Sequence, residues 1–123
     1  VTLLPEEPKY DLITAFDAIH DQVSPSVVLR RVHEALAADG VFLLFDFKFS
    51  SFVEENAGNP LAALYYGVST LHCTPVSLAA GGAGLGTMWG VQLARRMLAE
   101  AGFTSIEVVD PPRPQNCIYV CRP

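Results

Sequence analysis

Apolar residues recur along the chain with two rhythms, and the switches between them predict the elements. Tyr10 to Phe16 is apolar at neighbouring positions, as in a strand covered on both faces, so it is expected to be a central, parallel strand. Residues 1–9, with Pro5 and Pro8, read as the link leading into it. Asp17 to Gln22 is polar and reads as a loop. Ser24-Pro25 predicts a helix start: serine suits the N-cap, and proline suits the first turn, where its missing N–H costs nothing. Val28, Val32 and Leu36 follow at four-residue steps beside Leu29, with Arg30, Arg31 and Glu34 on the other side. Asp39-Gly40 is the expected end, with the glycine left-handed. Val41 to Phe47 is apolar except at Asp46 and predicts a second strand, buried on both faces. Strand, helix and strand in this order make a βαβ unit of an α/β sheet.

After Phe47 the rhythm breaks. Residues 48–90 far exceed the usual α/β connection of about two to six residues, so they read as an inserted cap or lid. Within them Pro60 to Cys73 is expected to be helical through Leu61, Leu64, Tyr65, Val68 and Leu71, and Ala79 to Gly90 to be a glycine-rich loop. Helical spacing returns from Val91 to Ala101 and stops at Gly102. Ser105 to Val109 and Cys117 to Cys121 predict two strands, Ile118 and Val120 facing one side and Cys117, Tyr119 and Cys121 the other. The turn between them is too short for a crossover helix, so the pair is expected to be antiparallel.

Composition narrows the picture. A chain of 123 residues, 50% hydrophobic and 17% charged, suits one domain with one core and excludes a disordered segment. No apolar run nears the ~18 residues of a membrane span, and no basic-then-apolar leader is present, so a soluble cytoplasmic protein is expected. The net charge of −5, with arginines scattered, argues against direct nucleic-acid contact. Three cysteines cannot all pair within one chain, and Cys117 and Cys121 lack the spacing of a zinc motif, so buried thiols and no metal site are expected. Because Val1 rather than methionine stands first, the chain is expected to be a piece of a longer one.

The element order, and several phrases within it, resemble the C-terminal half of the class I S-adenosylmethionine-dependent methyltransferase domain. Tyr10-Asp11-Leu12-Ile13 followed by Asp17-Ala18-Ile19-His20-Asp21 is similar to that family's fourth strand and its loop, which often carries histidine. Leu29 to Leu36 with Ala38-Asp39-Gly40 resembles the basic helix leading to its fifth strand, and Leu98 to Phe103 the helix end before its penultimate strand. The likeness covers residues 10–47 and 91–121. It implies a partial Rossmann-like α/β sheet with helices on its faces and a C-terminal antiparallel strand pair. It also implies transfer of a methyl group to a small, apolar or aromatic acceptor.

The family's glycine-rich cofactor loop and the acidic residue for the ribose precede the matched region. S-adenosylmethionine binding is therefore expected to need an N-terminal half, and the fragment alone to be inactive. Gly82-Ala83-Gly84-Leu85-Gly86 mimics the glycine spacing, but no apolar strand precedes it, so a flexible hinge is the plainer reading.

By that resemblance Phe16, Asp17, Ala18 and Ile19 flank the cofactor; the plainer reading makes Phe16 and Ile19 core residues and Asp17 a turn former. His20 and His72 are the candidate bases, since imidazole titrates near neutral pH, set against a structural role for each. Phe49, Tyr65, Tyr66 and Trp89 are the candidate substrate lining, set against a helical cap or homodimer interface. Asp46, without partner carboxylates at recognisable positions, is set aside as a metal ligand. Two rival readings are a non-catalytic dimerisation or ligand-sensing domain of a bacterial regulator and a short-chain dehydrogenase remnant. The second needs Tyr-x-x-x-Lys, yet Ser69 and Thr70 stand at the lysine offsets from Tyr65 and Tyr66.

Overall fold

The computed structural model describes residues 9–123, so the link expected before Lys9 lies outside the described residues. Its strands are β1 (Tyr10–Phe16), β2 (Leu36–Phe47), β3 (Ser105–Val109) and β4 (Asn116–Arg122). Its α-helices are α1 (Pro25–Ala35), α2 (Ala62–Val68), α3 (Thr74–Ala79) and α4 (Gly90–Glu100). The sheet order is β1-β2-β4-β3, with β1 parallel to β2 and both pairs involving β4 antiparallel. The βαβ unit and the terminal antiparallel pair thus form as the periodicity predicts.

One face of the sheet carries the core. Phe42 lies opposite Cys121, Leu44 opposite Tyr119 and Asp46 opposite Cys117, and all six are fully buried. Val28, Leu29 and Val32 of α1 and Ala94 and Leu98 of α4 pack onto this face in one cluster with Ile19, Trp89 and Phe103. A fully buried side chain of this size contributes about 1.5–3 kcal/mol, so this single layer dominates the stability. Ile118 and Val120 point to the other face, as their alternation predicts, and are only half-buried.

Three expectations need correction. The apolar run of β1 suggested a central strand, but among the described residues β1 is an edge of the sheet, with Leu12 and Phe16 55% and 67% exposed. An apolar run records what a strand avoids, not whether a neighbour is present to cover it. Secondly, α1 stops at Ala35, well before Asp39-Gly40, because Leu36 is already extended and pairs with Tyr10. The register then slips from Tyr10↔Leu36 to Leu12↔Val41, and Gly40 sits in the resulting bulge, where a Cβ would lie 2.9 Å from the Tyr10 carbonyl. Its role is close approach and not a left-handed cap. Thirdly, Ser24 holds the N-cap position without a side-chain capping bond; its carbonyl accepts the Val28 N–H at 3.0 Å.

Residues 48–90 are mostly helical. The expected helix continues past Cys73, because α2, a π turn (Ser69–Cys73) and α3 run on from one to the next. Pro75 explains the π turn: lacking an N–H, it cannot bond the Leu71 carbonyl, and the Thr74 N–H reaches back to the Ser69 carbonyl instead.

The start of α4 is satisfied from outside the helix. Val91 N–H donates to the Phe49 carbonyl at 2.8 Å, and Leu93 N–H donates to Ser51 Oγ at 2.9 Å. This close seating requires Gly90, at φ +79°, since a Cβ there would fall on the Ser51 amide. Gly90→Ala should therefore destabilise the fold by at least about 2 kcal/mol. Gly67→Ala, in α2 with nothing within 4 Å of the added carbon, should stabilise it by up to about 1 kcal/mol. Urea unfolding of the two variants checks the contrast, and equal effects would contradict this account of α4.

Candidate active site at the carboxyl ends of the parallel strands

In open α/β sheets ligands bind beyond the carboxyl ends of parallel strands. Here the chain leaves β1 at Phe16 and turns through Asp17, whose φ of +51° is unusual for a residue with a side chain. The turn is tied to β2 by the Asp17 N–H, which donates to the Phe45 carbonyl at 2.9 Å. It delivers His20 into the core edge, 1% exposed, directly against Asp46 at the end of β2.

His20 Nδ1 lies 3.1 and 3.2 Å from the two Asp46 carboxylate oxygens. An ionised carboxylate only accepts, so Nδ1 carries the proton and Nε2 is left facing the other way. Asp46 is 0% exposed and also accepts the Phe47 N–H at 2.8 Å. On the far side of the ring, Nε2 is 3.5 Å from Asp21 Oδ1 and 3.7 Å from Asp17 Oδ1. Burial disfavours the imidazolium, but the Asp46 hydrogen bond and the charges of Asp46, Asp21 and Asp17 outweigh it and raise His20 above its usual pKa. Burial likewise pushes the Asp17 carboxyl up, opposed by His20 and reinforced by Asp46 and Asp21.

The helical segment closes over this group. Cys73, at the end of the π turn, is buried with its Sγ 3.0 Å from Thr87 Oγ1, and its thiol joins His20 and Asp21 in one cluster. Burial keeps the Cys73 thiol above its ordinary pKa, opposed by the Thr87 hydrogen bond and reinforced by the Asp21 carboxylate.

The candidate residues therefore divide. Phe16, Ala18 and Ile19 line an open cavity of about 390 Å³ beside β1 and α1, shared with Ile13, Gln22 and Phe42. Ile19 also belongs to the main core, and Asp17 belongs to the His20 group. Phe49 and Tyr65 come together, ring centroids 5.1 Å apart, in a second cluster with Phe47, Met88 and Tyr66. Tyr66 Oη accepts from Asn56 Nδ2 at 3.0 Å. Trp89 packs in the main core, apart from the other aromatics proposed as lining. His72 is exposed on a separate apolar groove with Leu64, Val68 and Leu71, outside the His20 group. The glycine-rich segment is seated and not open: a Cβ at Gly86 would collide with the Ser69 and Thr74 hydroxyls, and Gly84 N–H donates to Ser77 Oγ at 3.1 Å.

The residues that the sequence did not single out are Asp21, Cys73 and, as a partner of His20, Asp46. Asp46 had one visible signal: it is the sole charged residue in the otherwise apolar run Val41 to Phe47, and a buried carboxylate requires a partner.

No family model matches the sequence, and no curated protein matches it. Solved structures do. A provisionally described O-methyltransferase of Nostoc punctiforme is 25% identical, with 92% of this chain and 31% of that one covered and a TM-score of 0.64. An O-methyltransferase family 2 protein of Planctomyces limnophilus, solved with apigenin, is 16% identical over 100% of this chain and 34% of its own, at 0.65. Human N-acetylserotonin methyltransferase, solved with S-adenosylmethionine, is 17% identical over 99% and 32%, at 0.63. The chain spans about a third of the length of these structures. Among the described residues no helix is long and apolar enough to cross a membrane. Its parallel β1-β2 pair, the strand order β1-β2-β4-β3 and these neighbours together give the chain the fold of the C-terminal part of a class I S-adenosylmethionine-dependent methyltransferase.

Proposed function

We propose that this chain forms the acceptor-side part of a methyltransferase acting on a hydroxyl of a small apolar or aromatic compound, with His20 as general base and Asp46 as its positioning residue. The observation that carries the reading is the buried His20–Asp46 pair at the carboxyl ends of β1 and β2. The likeness to O-methyltransferases of Nostoc punctiforme and Planctomyces limnophilus supports it.

The described residues fit one side of S-adenosylmethionine. The open cavity along Phe16, Ala18 and Ile19 offers an apolar wall for a ring, and nothing in the seated Gly82–Gly86 segment offers a cradle. When bound, that cofactor supplies an electrophilic methyl group. Asp46 holds the Nδ1 proton of His20, which fixes the tautomer and leaves Nε2 to take the acceptor's hydroxyl proton as the oxygen attacks. Since His20 is 1% exposed, an acceptor reaches Nε2 only when the segment bearing Cys73 and Thr87 draws back, as lids do. Phe49, Tyr65 and Tyr66, next to the end of β2, are the proposed apolar lining. Inactivity of this chain by itself, and its cytoplasmic location, remain part of the proposal.

The test is methyl transfer from S-adenosylmethionine to phenolic acceptors by the full-length protein, followed across pH. A raised His20 pKa means that more than half the imidazole is protonated at pH 6.5, so the active neutral form accumulates as pH rises. The rate should climb through a midpoint above 6.5. A flat profile in which chemistry limits the rate, or no transfer to any acceptor, would overturn the base assignment; the latter outcome favours the ligand-sensing alternative.

A further inference from the structure

We infer that His20, Asp21 and Cys73 form a binding site for a borderline-soft divalent cation of the Zn²⁺ class, which clips the helical segment 62–79 onto the loop after β1. The site does not depend on the methyl-transfer reading.

Its ligand atoms are already assembled. The His20 nitrogen, an Asp21 oxygen and Cys73 Sγ all lie within 4.8 Å of one another. Tetrahedral zinc, with Zn–N and Zn–O near 2.0 Å and Zn–S near 2.3 Å, sets its ligand atoms about 3.3–3.5 Å apart. Nε2 and Asp21 Oδ1 stand 3.5 Å apart, so that pair already has the required spacing.

The atoms facing one another are also chemically incomplete. Asp21 Oδ1 is buried and receives no hydrogen bond. Nε2 of the 1%-exposed His20 points at that oxygen, its Nδ1 being engaged by Asp46. Three carboxylates, Asp17, Asp21 and Asp46, converge on this one imidazole, so a divalent cation is electrostatically favoured among them. The outer contacts suit a metal as well: a carboxylate behind a ligating histidine fixes its tautomer and strengthens its donor nitrogen. Asp46 stands there, and the Thr87 hydroxyl, 3.0 Å from Cys73 Sγ, can donate to the thiolate. The mixed N, O and S donor set disfavours Mg²⁺ and Ca²⁺, which take oxygen ligands. The Asp21 side chain is 40% exposed although its Oδ1 is buried, so this ligand stands at the solvent edge of the group.

On binding, the Cys73 S–H proton passes to solvent, a metal–sulfur bond forms, and the metal occupies the His20 nitrogen otherwise available to a proton. The bound cation therefore excludes base catalysis and holds the segment shut. The pH profile described above applies to the metal-free protein.

Co²⁺ is the probe. Added to the chelator-treated full-length protein, it should give a 1:1 complex with intense tetrahedral d–d bands and a thiolate-to-cobalt charge-transfer band in the near ultraviolet. Zn²⁺ should displace it. Cys73→Ser should abolish the charge-transfer band, and Asp21→Asn, at a partly exposed position that tolerates substitution, should weaken binding at least tenfold. Glu107→Gln, on an exposed acidic position of β3, should change nothing. Octahedral cobalt spectra, or binding unaffected by Asp21→Asn in a folded protein, would overturn the site. Methyl-transfer activity plays no part in this readout, so the base assignment and the metal site fail separately.

Discussion

His20→Asn should lower the rate constant for methyl transfer by about 10²–10⁴-fold, the usual worth of a positioned general base, while leaving acceptor KM within about threefold. Asparagine is chosen because its amide N–H can replace Nδ1–H in donating to Asp46, whose oxygens lie 3.1 and 3.2 Å from the ring nitrogen. The buried carboxylate keeps a donor, and only Nε2 is lost. The residual rate should lose its dependence on pH near neutrality, which separates removal of a base from a general loosening of the site. A fall of less than threefold in a stably folded variant would mean that alignment of acceptor and methyl donor suffices, and that His20 serves the loop rather than the reaction.

Phe42→Ala should be the most damaging single change in the core, at about 3–5 kcal/mol. Its ring is 0% exposed, stacks on Phe103 at 5.7 Å and sits centrally in the layer beneath α1 and α4. Set against the ~5–15 kcal/mol that holds an ordinary domain together, such a loss removes between about a fifth and all of the stability. Leu43→Ala, one residue on and facing the half-buried side of the sheet, should cost markedly less. Urea denaturation of both variants measures the difference. A Phe42→Ala cost near 1 kcal/mol would show that the adjacent cavity already leaves the ring poorly packed.

The regular elements were legible in the sequence wherever one rhythm held. Both strand edges of Tyr10–Phe16 and Ser105–Val109 follow from where apolar residues begin and end, and the alternation in β4 assigns Cys117, Tyr119 and Cys121 to the buried face. The errors fall where a non-local contact overrules a local signal. Asp39-Gly40 is a sound helix terminator, yet pairing of Leu36 with Tyr10 ends the helix first.

The site was half legible for the same reason. His20 and the residues before it announce themselves in a polar loop after an apolar strand. Its partners lie 26 and 53 positions away, at Asp46 and Cys73, and no period in the sequence links them. Aromatic residues in the insertion looked alike on paper; the structure separates Trp89, in the main core, from Phe49 and Tyr65.

The placement of β4 between β2 and β3 has a consequence for biosynthesis. Until residues 116–122 leave the ribosome, β3 has no hydrogen-bonding neighbour within this sheet, and β2 has only β1. Sheet completion is thus a late, long-range event, slow by contact-order reasoning, during which the apolar edge of β2 stands open. A nascent chain stalled before Asn116 is the form in which chaperone capture should be strongest.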